Sequence, residues 1–284
     1  MDPSKPSQLR RLFRTGAAAL ALALALALPT PALATADDLI GEVRVGDSPE
    51  AVQAVAPSVG VPAGILTTAG GRELWSRAGG EERAMASTTK IMTALLALEN
   101  AEPSDVVTVT MSAAAVGGSG VYLRAGEVLT VEELLYAMML ESDNSAAHAL
   151  AAHVGGSVDE FVAMMNARAS ELGLTKTHFL NPHGLDAQDH HSSAGDLARL
   201  SRFALLDEDF HRIVGTPEAT ISGPSVARTL VNSNLLLQSV DGARGVKTGW
   251  TTPAGYCLVA SAERGDIELV TVVLGASSEK ARFD

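Results

Sequence analysis

A serine and a lysine stand three residues apart in Ser87-Thr88-Thr89-Lys90, where an irregular segment turns into a helical pattern. Residues three apart share a helix face, so the Lys90 amine can lie against the Ser87 hydroxyl. A serine hydroxyl is a weak nucleophile until a base removes its proton, and an ordinary lysine is charged at neutral pH. Because burial or a neighbouring cation lowers a lysine pKa, the pair predicts a serine nucleophile with a lysine base.

Two further clusters have side chains that could bind a peptide. Ser142-Asp143-Asn144 follows an apolar helical run at residues 134–140, and its hydroxyl and amide can relay a proton and hold a substrate amide. Lys247-Thr248-Gly249 precedes a strand pattern that starts at Gly255, and it suits a substrate carboxylate. Taken singly, each cluster has a plainer interpretation as a helix cap or a turn, and so has Ser-x-x-Lys.

Strand patterns occupy the two ends of the chain. Residues 63–75 form two short apolar runs around Gly70-Gly71, which is typical of a β-hairpin. Residues 255–261 and 267–274 flank a turn at residues 263–266 and are rich in β-branched and apolar side chains. We expect these two ends to pair in one antiparallel sheet.

The pattern between the two hairpins is helical. Thr130-Val-Glu-Glu133 and Ser157-Val-Asp-Glu160 fit capping boxes, Gly173 suits a helix end, and residues 196–206 predict a further helix. The sequence therefore predicts an α+β fold. Its antiparallel sheet is formed from both chain ends and flanked by helices, with a helical lobe beside it and a groove between the two.

Composition excludes several classes of protein. The 284 residues include one cysteine, which leaves no intramolecular disulfide framework and no cysteine-based zinc site. The net charge of −12 has the wrong sign for binding a phosphate backbone, and 4% aromatic residues are too few for a base-stacking surface. We therefore expect no nucleic-acid partner.

The N-terminus has the layout of a secretory signal. Three arginines between residues 10 and 14 precede an apolar run at residues 17–28, and small residues end at Ala36. Twelve apolar residues rise about 18 Å, short of the roughly 30 Å hydrocarbon core of a membrane. We predict a signal peptide over residues 1–36, with Ala34 as the alternative cleavage position, and a polar lead-in over residues 37–59.

Together and in this order, Ser-x-x-Lys, Ser-Asp-Asn and Lys-Thr-Gly are the signature of penicillin-binding proteins and class A β-lactamases. From about Gly60 onward the sequence closely resembles low-molecular-mass penicillin-binding proteins, the serine-type D-alanyl-D-alanine carboxypeptidases. The resemblance is most specific at residues 86–95, 142–147, 177–186 and 245–251. It implies a β-lactamase/transpeptidase-like catalytic domain over residues 60–284.

The resemblance implies a role for each matched residue. Ser87 is implied to be the acylated nucleophile, Lys90 its base and Ser142 a proton shuttle, and the backbone N–H groups of Ser87 and Trp250 resemble an oxyanion hole. The residues implied to bind substrate are Asn144, Lys247, Thr248, Gly249, Trp250 and Arg282. Within this set Asn144 orients the substrate amide, while Arg282 helps to bind the terminal carboxylate.

The implied reaction removes the terminal D-alanine from peptidoglycan stem peptides that end in D-Ala-D-Ala. It needs no metal and no organic cofactor, and β-lactams inhibit it by acylating the same serine. We expect an exported, extracytoplasmic protein that is secreted or loosely associated with the cell envelope. The family's catalytic domain continues with one more helix packed on the sheet, so we expect that this sequence is truncated or lacks that helix.

Three alternatives remain open at this point. A class A β-lactamase needs a glutamate-bearing stretch that Glu171-Leu-Gly-Leu-Thr does not match. A D-alanyl endopeptidase has the same motifs, and a non-catalytic wall-peptide-binding protein would not need all of them intact. We interpret the loop with His183 and Leu185 as architecture or specificity, and His190 and His191 as solvated loop histidines.

Overall fold

A five-stranded antiparallel sheet organises the molecule. The computed structural model describes residues 59–222 and 227–284. The strand order is β2-β1-β9-β8-β7. The strands are β1 (Ala63–Thr68), β2 (Glu73–Arg77), β7 (Ala243–Thr251), β8 (Gly255–Arg264) and β9 (Ile267–Ala276).

The first and last strands lie side by side in this sheet. β1 pairs with β9 from Ala63↔Leu274 to Thr68↔Leu269. β1 and β2 form one hairpin, and β8 and β9 form another whose turn contains Gly265 with a φ of 58°. The sheet built from both chain ends and its two hairpins are therefore confirmed.

The edge strand β7 is the main element that sequence reasoning missed. Lys247, Thr248 and Gly249 lie in the middle of this nine-residue strand, with Lys247 opposite Val259 and Thr248 opposite Leu258 in β8. The motif does lie ahead of the strand that starts at Gly255, as predicted, but it also lies within β7, a strand that the sequence analysis did not predict. β7 buries a lysine, a threonine and a glycine at positions where apolar residues would mark a buried strand. The sequence therefore shows no recognisable strand pattern there.

All but the last of the helices form a lobe against one face of the sheet, with a largely buried helix at its centre, while Leu236 of the last helix packs on the opposite face. The helices are α1 (Lys90–Asn100), α2 (Met111–Ala114), α3 (Val131–Leu140), α4 (Asn144–Gly155), α5 (Val158–Glu171), α6 (Ala194–Ala204), α7 (Glu208–Val214) and α8 (Leu236–Ser239). In α1 every residue from 90 to 98 is buried, and α3, α4, α5 and α6 pack around it. A helix enclosed on all sides carries its polar residues into the interior, which is where Lys90 lies.

The predicted helix ends are largely as expected. Thr130 accepts a hydrogen bond from the Glu133 N–H while the Glu133 carboxylate accepts one from the Thr130 N–H, which completes a capping box. At α5 only one of the two capping-box hydrogen bonds is present, in which the Ser157 side chain accepts from the Glu160 N–H. The helix predicted over residues 196–206 begins two residues earlier, because Ser193 caps it.

Two small two-stranded antiparallel sheets lie outside the main sheet. β3 (Val106–Thr108) pairs with β4 (Val128–Thr130), and β5 (Glu218–Ser222) pairs with β6 (Ala227–Val231). None of the helices described is both long and apolar enough to cross a bilayer. The predicted signal peptide and all but the last residue of the predicted lead-in lie outside the described residues.

The capping box of α3 supplies a prediction about stability. Replacing Thr130 by alanine removes the side-chain acceptor for the Glu133 N–H, so we expect the free energy of unfolding to fall by about 1 kcal/mol. Urea denaturation followed by circular dichroism measures the change. Thr130→Ser keeps a hydroxyl and is expected to stay near the parent value; equal losses in both variants would contradict the capping role.

Candidate active site

Ser87 lies in a 3₁₀ turn, Ala86–Thr89, that leads directly into α1 and packs on β7. Lys90 is the first residue of α1, and its Nζ is 3.0 Å from the Ser87 Oγ. Ala86 has a φ of 48°, a left-handed conformation that is uncommon for alanine. Backbone strain of this kind is stored where the surroundings hold a side chain in place, and here it directly precedes Ser87.

The Lys90 amine has three partners, two of which can only accept hydrogen bonds. The Asn144 Oδ1 and the His183 carbonyl oxygen each lie 2.6 Å from its Nζ. A neutral amine has two N–H bonds and one lone pair, so these two acceptors use both of its hydrogens. In this neutral form the lone pair is left for the Ser87 hydroxyl, whose proton it can accept, whereas in the charged form the third N–H donates to the Ser87 Oγ.

Burial favours this neutral form of Lys90. It is the largest cause that lowers the pKa of Lys90 well below the usual value of 10.5, and the positive charge of Lys247 is the second. Asp143 opposes the shift, because its carboxylate favours the charged amine. The site therefore has a lysine with the properties of a base.

Ser142 follows the end of α3 in a left-handed conformation, with a φ of 60°. Its Oγ is buried and makes no hydrogen bond, while its carbonyl oxygen accepts one from the Ser119 hydroxyl at 2.8 Å. The next residue, Asp143, caps α4. A buried hydroxyl without a partner is free to bond to a substrate atom.

Asn144 joins the second motif to the first. Its Oδ1 accepts from Lys90, and its Nδ2 donates to the Gly117 carbonyl oxygen at 2.7 Å. Both polar ends of the side chain are thus already engaged by protein groups. In this arrangement Asn144 orients the Lys90 amine, a contact that motif spacing does not reveal.

The third motif faces the same turn from β7. The Lys247 Nζ is buried without a hydrogen-bond partner. Burial, followed by the charge of Arg282, lowers the pKa of Lys247 to about 7. The Thr248 Oγ1 lies 2.7 Å from the Oγ of Ser233, a residue that sequence reasoning did not single out.

Arg282 and Trp250 lie at the end of the strand. The Arg282 guanidinium donates to the Gly249 carbonyl oxygen at 3.3 Å and pairs with Glu279 at 2.9 Å. The Tyr256 ring centroid lies 5.5 Å from this guanidinium and 5.9 Å from the centroid of the half-exposed Trp250 ring. Arg282 therefore supports the backbone of the third motif besides adding positive charge.

The loop after α5 contributes more than sequence reasoning expected. The carbonyl oxygens of Pro182 and His183 accept hydrogen bonds from Thr93 and Lys90, both at 2.6 Å. His190 is only 6% exposed, so its interpretation as a solvated histidine was wrong. The contacts of Pro182 and His183 are made by main-chain atoms, so residue types could not reveal them.

Among the described residues, no cluster of His, Cys, Asp and Glu could hold a metal ion.

A family comparison agrees with this geometry. Residues 53–278 match the sequence profile of Peptidase_S11, described as D-alanyl-D-alanine carboxypeptidase. The chain belongs to this carboxypeptidase family. The resemblance drawn from the motifs is therefore confirmed.

Individual members of the carboxypeptidase family agree with the match. D-alanyl-D-alanine carboxypeptidase DacF of Bacillus subtilis is 41% identical over 218 residues, which are 75% of this chain and 56% of that protein. The carboxypeptidase of Streptomyces sp. strain K15 is 33% identical over 267 residues, 87% of this chain and 91% of that protein. The chain spans a little over half the length of DacF and of similar curated relatives.

A solved structure of the same carboxypeptidase family confirms the fold. The Streptomyces K15 DD-transpeptidase superposes with a TM-score of 0.77 at 34% identity, covering 80% of this chain and 94% of that one. The predicted architecture, a sheet formed from both chain ends with a helical lobe, is therefore that of the family.

The electrostatics of the site predict how the two buried lysines titrate. Replacing Lys247 by glutamine removes a positive charge that lowers the Lys90 pKa, so we expect Lys90 to titrate at a higher pH than in the parent protein. NMR titration of the lysine ¹³Cε resonances measures both values. Lys176→Gln, at an exposed position, is the control and should leave the Lys90 pKa unchanged. A Lys90 pKa near 10.5 in the parent protein would contradict the neutral amine.

Proposed function

We propose that this protein is a serine D-alanyl-D-alanine carboxypeptidase that removes the terminal D-alanine of peptidoglycan stem peptides through an acyl-enzyme on Ser87. One observation carries the proposal. The Lys90 Nζ lies 3.0 Å from the Ser87 Oγ, with its two N–H bonds taken by Asn144 and His183. An amine held in this way is a general base aimed at a serine nucleophile.

Acylation begins when the Ser87 Oγ attacks the carbonyl carbon of the penultimate D-alanine. The Ser87 proton passes to the Lys90 lone pair, and the backbone N–H groups of Ser87 and Trp250 stabilise the oxyanion. The peptide C–N bond then breaks. The proton reaches the leaving D-alanine amine from Lys90, with the unpartnered Ser142 hydroxyl as a relay.

Positive charge on the β7 side of the cleft suits the terminal carboxylate. The Lys247 Nζ has no protein hydrogen-bond partner, and Arg282 lies close enough to lower the Lys247 pKa. A bound carboxylate favours the charged form of Lys247 and raises its pKa. The Thr248 hydroxyl adds a donor next to it, and the second N–H of the Asn144 Nδ2, which the bond to Gly117 does not use, can donate to the substrate peptide.

Water completes the reaction by attacking the Ser87 ester while Lys90 accepts its proton, and this proton returns to the Ser87 Oγ as the ester C–O bond breaks. A β-lactam has an amide that mimics the D-Ala-D-Ala end, so it acylates Ser87 by the same route, and its ester persists. The partners are therefore wall stem peptides and β-lactam inhibitors. Wall stem peptides lie outside the cytoplasm, and residues 1–36 have a secretory pattern. Both support action outside the cytoplasm.

Transfer of the acyl group to an amine is the second candidate. A structure similar to this chain is that of a DD-transpeptidase. The same Ser87 ester reacts with an amine in place of water, with Lys90 taking the amine proton. Adding an amine acceptor to the peptide assay separates transfer from hydrolysis by the mass of the product.

Covalent labelling tests the proposal most directly. We expect benzylpenicillin to add the mass of one molecule to the intact protein and peptide mapping to locate it on Ser87. Ser87→Ala should lose both this adduct and the release of D-alanine from an acylated peptide ending in D-Ala-D-Ala. Ser157→Ala, a capping serine of α5, should keep both.

Each other outcome excludes one assignment. An adduct on a different residue overturns the role of Ser87, and the lack of any adduct favours a binding protein without catalysis. Turnover of penicillin that is faster than turnover of the peptide assigns a β-lactamase instead.

Gly249 allows the two oxyanion donors to approach each other. A Cβ at this position would lie 2.9 Å from the Ser87 backbone nitrogen and 3.3 Å from that of Thr88. Real Cβ atoms do not approach backbone this closely, so β7 or the 3₁₀ turn would have to move. The glycine is required for this contact and not for its φ, which is not in the left-handed region.

We expect Gly249→Ala to fold and to lose about 100-fold or more in the rate of acylation by penicillin, since ångström-scale misplacement costs about this much. Stopped-flow or quenched labelling measures the rate constant. Gly80→Ala places its Cβ in open space and serves as the control. An unchanged rate in Gly249→Ala would show that this approach is irrelevant to the oxyanion hole.

A further inference from the structure

The segment between α5 and α6 contains a closed loop, residues 178–191, that we call the docking loop. Its two ends are paired, because the N–H of His178 donates to the His191 carbonyl oxygen at 2.9 Å and the reverse bond is 3.1 Å. Near its tip, the Asn181 side chain accepts from the N–H groups of His183 and Gly184 and donates to the Leu185 carbonyl oxygen. The loop therefore has a defined shape of its own.

The docking loop touches the start of α1 at three buried polar side chains. Thr93 donates to the Pro182 carbonyl oxygen, and Lys90 donates to that of His183. The third contact runs from the side chain of His190 to the Thr89 Oγ1, over 2.9 Å. Only this third contact depends on a side chain of the loop, so it is the one that a substitution within the loop can remove.

The neighbours of His190 determine where its proton lies. The Leu180 N–H can only donate, and it lies 2.9 Å from the His190 Nδ1, so Nδ1 is the acceptor. Nε2 therefore carries the hydrogen and donates it to the Thr89 Oγ1. Burial keeps the ring neutral, since it lowers the pKa of His190 to about 4, with His178 and His191 adding smaller effects.

The Thr89 hydroxyl links His190 to the residue that precedes the nucleophile. Its oxygen accepts from His190, and its hydrogen donates to the Ala86 carbonyl oxygen at 2.8 Å. Ala86 is the residue in the left-handed conformation immediately before Ser87. Three hydrogen bonds thus run in one direction from the Leu180 N–H through His190 and Thr89 to the strained peptide next to the nucleophile.

We propose that His190 is a positioning residue that acts through Thr89 to hold the Ala86 carbonyl, and hence the Ser87 hydroxyl, in line with the Lys90 amine. The inference rests on the proposed function, because it concerns the acylation of Ser87. Without this chain the left-handed Ala86 peptide can relax, and the hydroxyl moves away from its base. The competing explanation is that His190 only fills the space between the loop and the helix.

A double-mutant cycle separates these explanations. We expect His190→Ala and Thr89→Val each to lower the rate constant for penicillin acylation by about 10-fold or more. The double variant should react at nearly the same rate as the slower single variant, within about 2-fold. His190→Gln and Thr89→Ser retain donors and acceptors and should recover most of the rate. His191→Ala, which alters the adjacent half-exposed histidine, is the matched control.

A readout that does not need catalysis keeps the test independent of the proposed function. The ¹H–¹⁵N resonance of the Ser87 amide is expected to shift in His190→Ala and Thr89→Val and to return towards the parent position in His190→Gln and Thr89→Ser. If the parent protein is not acylated, the proposed function fails while these shifts still test the positioning. Losses that multiply in the double variant, or a Ser87 resonance that does not move in either single variant, would overturn the role of His190.

Discussion

A lysine amine buried against a serine hydroxyl is the constraint on which the site depends. Lys90 can remain neutral only where water is excluded, and an amine in such a place needs partners for both of its N–H bonds. Asn144 and the His183 carbonyl oxygen meet that need, and their positions leave the lone pair for Ser87. The same two hydrogen bonds therefore satisfy the buried amine and leave its lone pair free to activate the nucleophile.

The fold brings four separate parts of the chain together at this amine. The buried helix α1 supplies the lysine, the start of α4 supplies Asn144, the edge strand β7 closes one side, and the docking loop closes the other. Each approach depends on an unusual backbone: Ala86 and Ser142 adopt left-handed conformations, and a Cβ at Gly184 or Gly249 would collide with the turn that holds Ser87. The chain concentrates its backbone strain where side chains must be held.

Charge at the site differs from charge over the molecule. The sequence carries a net charge of −12, yet Lys90, Lys247 and Arg282 meet in the interior. Because water screens little there, the charge of Lys247 lowers the pKa of Lys90, and the charge of Arg282 lowers the pKa of Lys247. The net charge of the chain therefore does not describe the charge of the cleft.

The sequence alone determined features set by near neighbours. Residues three apart meet on one helical turn, so Ser87 and Lys90 were predicted as a pair, and the capping box at Thr130 followed from the same local geometry. The tertiary structure decided what distant segments do to these residues. It placed Lys247 inside a buried strand and made His190 a buried hydrogen-bond donor. Burial and the local dielectric depend on segments about a hundred residues away, which no local pattern contains.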